Sequence, residues 1–516
     1  MVCHTSGVNL AQALADLAAG RDWLDRPAYL VGDRTLTHGQ VHDGAARAAG
    51  LLAAQGVGRG DRVVIATGDR VEFLWAFLGA VRLGAIAVPV DPELALAEHA
   101  YVLADTAPGV VVAEARLAER FERAAQVIGA DDLADLLADS PWAPPAEVGR
   151  ADAAYGQYTS GTTGHPKLAL HVHGDAFVYH QAAGGALGIG PDDVCLSVSR
   201  LHTANGLGNA LFLPLAAGAC AVLVAGRLHQ APDPTEVAEA AGRTQPTLLF
   251  AAPTAWARLV DAVPGRPSRR LRAAISSGET LTPALAERIR QWAGCPVLDG
   301  LGSTEVGHVY CSNTAQAWRD GTVGRPLAPF EVREADTAGN DLPPGTQGLL
   351  WVRGPSVLLE YWNKPEATAS ALVDGWLRTG DLGSIDPDGF VRHGGRADDI
   401  EIVRGTSVSA VEVERVLADH IGVAEVAVAG VRDDRGASHL EAFVVPTDPA
   451  MAGDALAASV IALAAERLAP FKVPERVIFV SELPRTPTGR LRRFVLRLGG
   501  YGAEALIGSG TGTRPA

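Results

Sequence analysis

Lysine is nearly missing from this 516-residue chain: Lys167, Lys364 and Lys472 stand alone, and arginine supplies the rest of the 44 positive side chains. Those 44 face 59 acidic ones, for a net charge of −15, with no basic block anywhere. Nucleic acid is therefore not an expected partner, since a polyanion selects for concentrated positive charge. Cysteine is scarce too. Cys3, Cys195, Cys220, Cys295 and Cys311 are odd in number and widely scattered. That excludes a disulfide framework and metal-like pairing, and it points to free thiols in a reducing cytoplasm. The first eleven residues lack a positive cluster and a long apolar core, so no signal peptide is expected. One long apolar run exists, residues 206–226, interrupted only by Asn209 and Pro214. Pro214 and the glycines break it, which favours a buried helix and a strand over 220–224 rather than a membrane span.

A chain of this length exceeds what one hydrophobic core serves, so two or more domains are expected. Its 47% hydrophobic and 20% charged content is that of a soluble globular enzyme. The first 150 residues alternate helical and strand-like patches. Asn9 and Thr37 stand where helix caps belong, 62–66 and 85–90 read as buried strands, and 71–83 reads as an amphipathic helix. This alternation predicts parallel sheets covered by helices. No short internal repeat is present.

Chemistry first appears at Tyr158–Lys167, Y-T-S-G-T-T-G-H-P-K. Thr159, Ser160, Thr162 and Thr163 can donate to phosphate oxygens. Gly161 and Gly164 let backbone N–H groups approach an anion, and Lys167 adds a point charge. The string is not the G-x-x-x-x-G-K-[ST] loop, because no Lys-Ser/Thr pair follows the second glycine. Further on come I-S-S-G-E-T with Gly278 and Glu279, and D-G-L-G-S-T-E with Asp299, Gly300, Gly302, Thr304 and Glu305. D-G-W-L-R-T-G-D then ends at Asp381, and G-R-A-D-D holds Arg396 and Asp398.

In this order the motifs closely resemble the adenylate-forming superfamily of acyl- and aryl-CoA ligases, peptide-synthetase adenylation domains and luciferases. The benzoate-CoA ligase-like branch is the nearest match. The resemblance covers essentially the whole chain. It implies an α/β fold: a large N-terminal domain of helix-covered sheets with a small β-barrel-like end (1–397), a small mobile α+β domain (398–506) hinged at Asp398, and a disordered tail (507–516). It implies ATP binding by the phosphate loop and by Gly278, Glu279, Asp299, Gly300 and Thr304. Asp381 and Arg396 would hold the ribose, and Glu305 would hold Mg²⁺. Ala204, Asn205, Gly302 and His308 would line the acid pocket. A polar Asn205 suits a hydroxyl or amino substituent on the ring, although an Asn before Gly also caps helices. A lone His such as His308 is also a common structural residue.

Three departures from the pattern matter. The loop ends Pro166-Lys167-Leu168 rather than Pro-Lys-Gly. The post-hinge string D-D-I-E-I-V-R-G-T-S keeps Gly405, the expected contact for the pantetheine arm of coenzyme A, but alters its neighbours. Pro484–Phe494 carries Arg490 where the family places the lysine that bridges carboxylate and phosphate. Lysine-to-arginine drift is one reading; a reaction with other demands is the other, because the two cations are not interchangeable between two anions.

The resemblance thus implies ATP-dependent activation of a small aromatic acid as acyl-AMP, then thioester formation with coenzyme A, in the cytoplasm and in secondary metabolism. It leaves room for a homodimer and gives no reason for a membrane. Two alternatives stay open: an ATP-dependent diazotase joining nitrite to an aromatic amine, and an inactive adenylate-binding protein.

Overall fold

The computed structural model describes residues 8–122, 125–159, 166–224, 232–397, 400–403, 406–432, 438–485, 491–497 and 506–510. Two sheets organise the large N-terminal part, as the β-α-β alternation predicts. Arg62–Ala66, Ile86–Pro89 and Val110–Ala113 are short Val-, Ile- and Ala-rich strands paired in parallel and buried almost throughout. Strands with helices on both faces need no polar side. Their sheet ends in the antiparallel hairpin Ala153–Thr159 and Lys167–Val172.

Helix His38–Ala54 starts in a capping box. Thr37 Oγ accepts from Gln40 N at 3.2 Å, and Gln40 Oε1 accepts from Thr37 N at 2.9 Å. Such a cap contributes about 1 kcal/mol. The helix packs on Val71–Arg82, whose Phe77 meets Tyr155 at 5.7 Å and Phe212 at 5.9 Å between ring centres. This aromatic core backs the hairpin from beneath.

The second sheet runs, edge to edge, through Arg325–Pro326, Val309–Ser312, Val297–Gly302, Ala273–Ser277, Leu248–Ala251, Val194–Ser197, Cys220–Leu223, Pro27–Val31 and Arg34–Thr37. Its central strands are parallel. Residues just past the carboxyl ends of Ala273–Ser277 and Val297–Gly302 are Gly278, Glu279, Thr304 and Glu305, and that edge is where open α/β sheets bind ligands. A third, antiparallel sheet of Glu331–Ala335, Gly348–Arg353, Leu372–Val373, Trp376–Ile385 and Val391–Arg396 supplies the small β end.

The C-terminal part has its own apolar core, with Val413, Val428, Val444, Val460 and Phe479 at its centre. Helices Ala410–Leu417 and Asp454–Arg467 pack on strands Val423–Arg432, Ser438–Pro446 and Arg476–Val480. The expected disordered tail over 507–516 is corrected in its first four residues only, and residues 511–516 lie outside the described residues. Leu506–Gly510 is an edge strand antiparallel to Arg476–Val480. Gly- and Ser-rich composition weakens side-chain packing, but the open edge of a sheet still offers backbone partners.

The described part of the apolar run, residues 206–224, also folds as expected. Helical turns over Ala204–Ala217 are followed by strand Cys220–Leu223. No helix among the described residues is long and apolar enough to cross a membrane.

Candidate active site

Thr159 and Lys167 face each other across the hairpin, so they bracket the glycine- and hydroxyl-rich loop. Ser160, Gly161, Thr162, Thr163 and Gly164 themselves lie outside the described residues. Helix Leu96–Thr106 grips both ends of that loop from residues one turn apart. The Tyr101 hydroxyl donates to the Pro166 carbonyl at 2.9 Å, and the Tyr158 hydroxyl donates to Asp105 Oδ2 at 2.8 Å. Lys364 Nζ donates to Asp105 Oδ1 at 3.1 Å. The Lys167 ammonium lies 4.4 Å above the Tyr361 ring, and the Tyr361 hydroxyl donates to Glu305 Oε1 at 2.9 Å.

Thr304 and Glu305 are fixed from below. The Thr304 carbonyl lies 2.7 Å from His171 Nε2, while His171 Nδ1 lies 3.1 Å from Asp175 Oδ2. Both His171 and Asp175 are buried. Asp175 also accepts from the Val172 amide at 3.0 Å, so the dyad is anchored to the hairpin.

Asp299 sits on strand Val297–Gly302 and is only 9% exposed. Its Oδ1 has no hydrogen-bond partner among the described residues. Burial pushes its carboxyl up to about 8, against the opposing pull of Ser276 and the Gly300 amide. Gly300 pairs with Ser312 on the neighbouring strand.

Gly278 has φ +95°, and a side chain there would meet Asn205 Nδ2 at 3.2 Å. This places the helical turn that carries Asn205 beside the Gly278 loop. Glu279 accepts from Thr254 N at 2.9 Å and from Thr254 Oγ at 2.7 Å, so its carboxylate serves the start of helix Pro253–Ala262.

Asp381 is 4% exposed on strand Trp376–Ile385, directly opposite Arg396 on Val391–Arg396. Arg396 Nη1 donates to its Oδ1 at 3.0 Å, and His393 Nε2 stands 3.5 Å away. Burial alone would raise this carboxyl. His393 and Arg396 outweigh it and hold the group at about 2.

In the stretch expected to line the acid pocket, Thr203 rather than Asn205 caps the helical turn, accepting from Gly206 N at 3.1 Å. Ala204 and Asn205 open the turn and are half-buried. His308 is 3% exposed, 3.0 Å from Asn209 Oδ1 through Nε2, and burial pushes it down to about 4. Its Nδ1 has no hydrogen-bond partner among the described residues. At Gly302 a Cβ would come within 2.7 Å of the His308 carbonyl, so only glycine lets the two strands close there.

The sequence matches the family described as AMP-binding enzyme over residues 17–362, and the AMP-binding enzyme C-terminal domain over residues 412–490. The chain belongs to the AMP-binding enzyme family. It is 41% identical over 495 residues to the p-hydroxybenzoic acid–AMP ligase FadD22 of Mycobacterium marinum, a match covering 95% of this chain and 69% of that protein. It is 34% identical to the 3-hydroxybenzoate–CoA ligase of an Aromatoleum species, covering 95% of each. A crystal structure of a benzoate CoA ligase from Burkholderia xenovorans superposes with a TM-score of 0.87 at 33% identity, covering 95% of this chain and 99% of that one. As a member of this family the chain is an adenylate-forming, AMP-releasing ligase. Neither the diazotase nor the inactive-binder alternative gains support from these three proteins.

The residues suit the AMP-binding family's substrates and cation. Among the described residues no cluster of three His, Cys, Asp or Glu side chains is placed to hold a metal. Mg²⁺ is commonly held by one or two carboxylates with phosphate oxygens and water completing its shell, and Glu305, half-buried with its carboxylate bonded to Tyr361 through Oε1 alone among the described residues, fits that role. Asp299 Oδ1, without a partner among the described residues, could accept a hydrogen bond from a bound group, and the ionised Asp381 could accept from ribose hydroxyls.

Arg490, Asp398 and Gly405 lie outside the described residues, and Arg490 is the last residue of the C-terminal family match. Sequence reading passed over Tyr361, Asp105, Tyr101, His171 and Asp175. A usable signal existed for two pairs: His171 and Asp175, and Tyr101 and Asp105, are each four residues apart.

Proposed function

We propose that the protein activates a hydroxylated benzoic acid and transfers it to coenzyme A. The acid's carboxylate oxygen attacks the α-phosphorus of ATP. The bond to the bridging oxygen breaks and pyrophosphate leaves, giving the aryl-adenylate. The thiol sulfur then adds to the acyl carbon, AMP departs, and the thiol proton passes to solvent.

Lys167 and the hydroxyls of the phosphate loop would neutralise charge growing on the phosphates. Mg²⁺ held at Glu305 would draw charge from the same oxygens. Asp381, paired with Arg396, would hold the ribose. Arg490 would reach the α-phosphate from the small domain, swinging about Asp398, with Gly405 on the path of the thiol. His308, neutral through burial, would bring its unpartnered Nδ1 to the acid without adding charge.

The observation that carries the ring substituent is Asn205, whose amide nitrogen stands beside Gly278 between the acid-pocket turn and the nucleotide loop. A polar group there rewards a hydroxylated ring and leaves an unsubstituted one with an unpaired amide. The similarity to two hydroxybenzoate ligases supports the same reading.

The test is acid-dependent ATP–pyrophosphate exchange with benzoate, 3-hydroxybenzoate, 4-hydroxybenzoate and 2-aminobenzoate. Mass spectrometry with and without coenzyme A would follow the products. The reading expects exchange to favour a hydroxylated acid and a thioester to form only with coenzyme A. Absence of exchange with every acid would overturn it.

A further inference from the structure

Residues 358–364 lie along strand Lys167–Val172 as an added antiparallel segment. Leu170 N donates to the Glu360 carbonyl at 2.9 Å, Leu359 N to the Leu170 carbonyl at 2.8 Å, and Trp362 N to the Leu168 carbonyl at 2.8 Å. The same segment touches the Thr304–Glu305 turn, where Leu358 N donates to the Glu305 carbonyl at 2.7 Å. Its far end is anchored by Lys364 on Asp105. One backbone segment therefore ties the base of the phosphate hairpin to the turn that carries Glu305.

Tyr361 sits at the centre of it, 4% exposed. Its hydroxyl is committed to one oxygen of Glu305 and its ring face to Lys167. No ion pair joins Lys167 to Glu305 among the described residues. That is a physical puzzle, because an ammonium and a carboxylate served by the same side chain attract each other. A cation over an aromatic face gains from the ring quadrupole, which offers Lys167 a resting place off the carboxylate. A phenol donating to Glu305 removes rotamers from a long side chain that otherwise loses entropy when a ligand orders it.

We propose that Tyr361 is the positioning residue of this site: its hydroxyl aims Glu305, and its ring keeps Lys167 from pairing with that carboxylate. The proposal rests on Glu305 being the carboxylate that meets Mg²⁺. Without the hydroxyl, Glu305 must be ordered by the cation itself. Without the ring, Lys167 competes with the cation for Glu305.

Two measurements test this. With three lysines in the chain, reductive ¹³C-methylation of the full protein gives few signals, and Lys167→Arg, Lys364→Arg and Lys472→Arg variants assign them. The Lys167 methyl resonance is expected upfield through the ring current of Tyr361. It should stay there in Tyr361→Phe and return to the position of an exposed lysine in Tyr361→Leu. The Mg²⁺ concentration for half-maximal turnover is expected to rise about tenfold in Tyr361→Phe, the scale of one lost hydrogen bond to a charged group. The KM for the aryl acid should stay unchanged.

A Lys167 resonance without an upfield shift in the unsubstituted protein overturns the role of the ring. A Mg²⁺ requirement within twofold of wild type in Tyr361→Phe overturns the role of the hydroxyl, as does a loss of turnover that is equal at every Mg²⁺ concentration. Tyr361→Phe keeps the buried ring, so both readings survive if Tyr361→Leu fails to fold. Failure of the functional reading itself would show separately, as a wild-type protein that consumes no ATP with any aryl acid while its Lys167 signal is still shifted.

Discussion

Arg396 and Asp381 are direct partners across two antiparallel strands, with Nη1 3.0 Å from Oδ1. The pairing places a buried, ionised carboxylate on an inner strand of the small β sheet, bonded through one oxygen to Arg396. Asp381→Ala is expected to raise the KM for ATP about tenfold or more, the cost of a lost charge-assisted contact. Steady-state kinetics at saturating aryl acid would check this, and an unchanged KM would remove Asp381 from the nucleotide site.

Glu305→Gln keeps shape but loses the charge that suits a hard cation. Turnover is expected to vanish while the far-ultraviolet circular dichroism spectrum and the melting transition stay close to those of the unsubstituted chain. Wild-type rates at saturating Mg²⁺ would show that Glu305 has no part in holding the cation.

Asn205 is free of the capping duty that Thr203 performs, so its amide is available to a substrate. Asn205→Tyr is expected to move the ratio of kcat/KM for 4-hydroxybenzoate over benzoate towards benzoate by about tenfold or more, the scale on which an unpaired buried polar group discriminates. An unchanged ranking across the acid panel would place Asn205 away from the ring.

Asp299 gives a pH test with a definite sign. Its carboxyl is pushed up to about 8 in the folded chain, against about 4 in an unfolded one. Between those values the folded state holds more protons, so this group's contribution to stability falls as pH rises. Asp299→Asn is therefore expected to gain stability relative to the unsubstituted protein between about pH 5 and 8. Urea denaturation across that range would show it, and a difference that does not vary with pH would deny the raised pKa.

Arg490 separates drift from selection. If it does the work of the family's lysine, Arg490→Lys keeps or raises pyrophosphate exchange, and Arg490→Ala costs about 10²-fold or more, the scale of one lost transition-state contact. If Arg490→Ala exchanges pyrophosphate at the wild-type rate, the first half-reaction relies on the phosphate loop and the cation.

Much of the molecule was legible before its structure. Asn9 and Thr37 cap the helices they were expected to cap, because a cap is a contract between neighbours in sequence. The strands at 62–66 and 86–89 follow from short β-branched runs bounded by turns. Other readings had to wait for three dimensions. Asn205 looked like a cap from its following glycine, and Thr203, two residues earlier, takes that role because its own φ and ψ are extended while those of Asn205 are already helical. The strand at Leu506–Gly510 was hidden by its composition, since backbone pairing with an open edge asks little of side chains.

By itself the sequence determined the chemistry of the contiguous strings: where hydroxyls and glycines gather, where a carboxylate follows Ser-Thr, where an arginine stands in a lysine's place. Such strings are legible because turns and close backbone approaches restrict the residues allowed at successive positions. Only the tertiary structure decided which residues support those strings. Tyr361 reaches Glu305 across 56 positions, Lys364 reaches Asp105 across 259, and His171 reaches Thr304 across 133. Sheet order and register create these meetings. A one-residue slip in register would turn each side chain to the opposite face, and a strand's own sequence does not name the partner beside it.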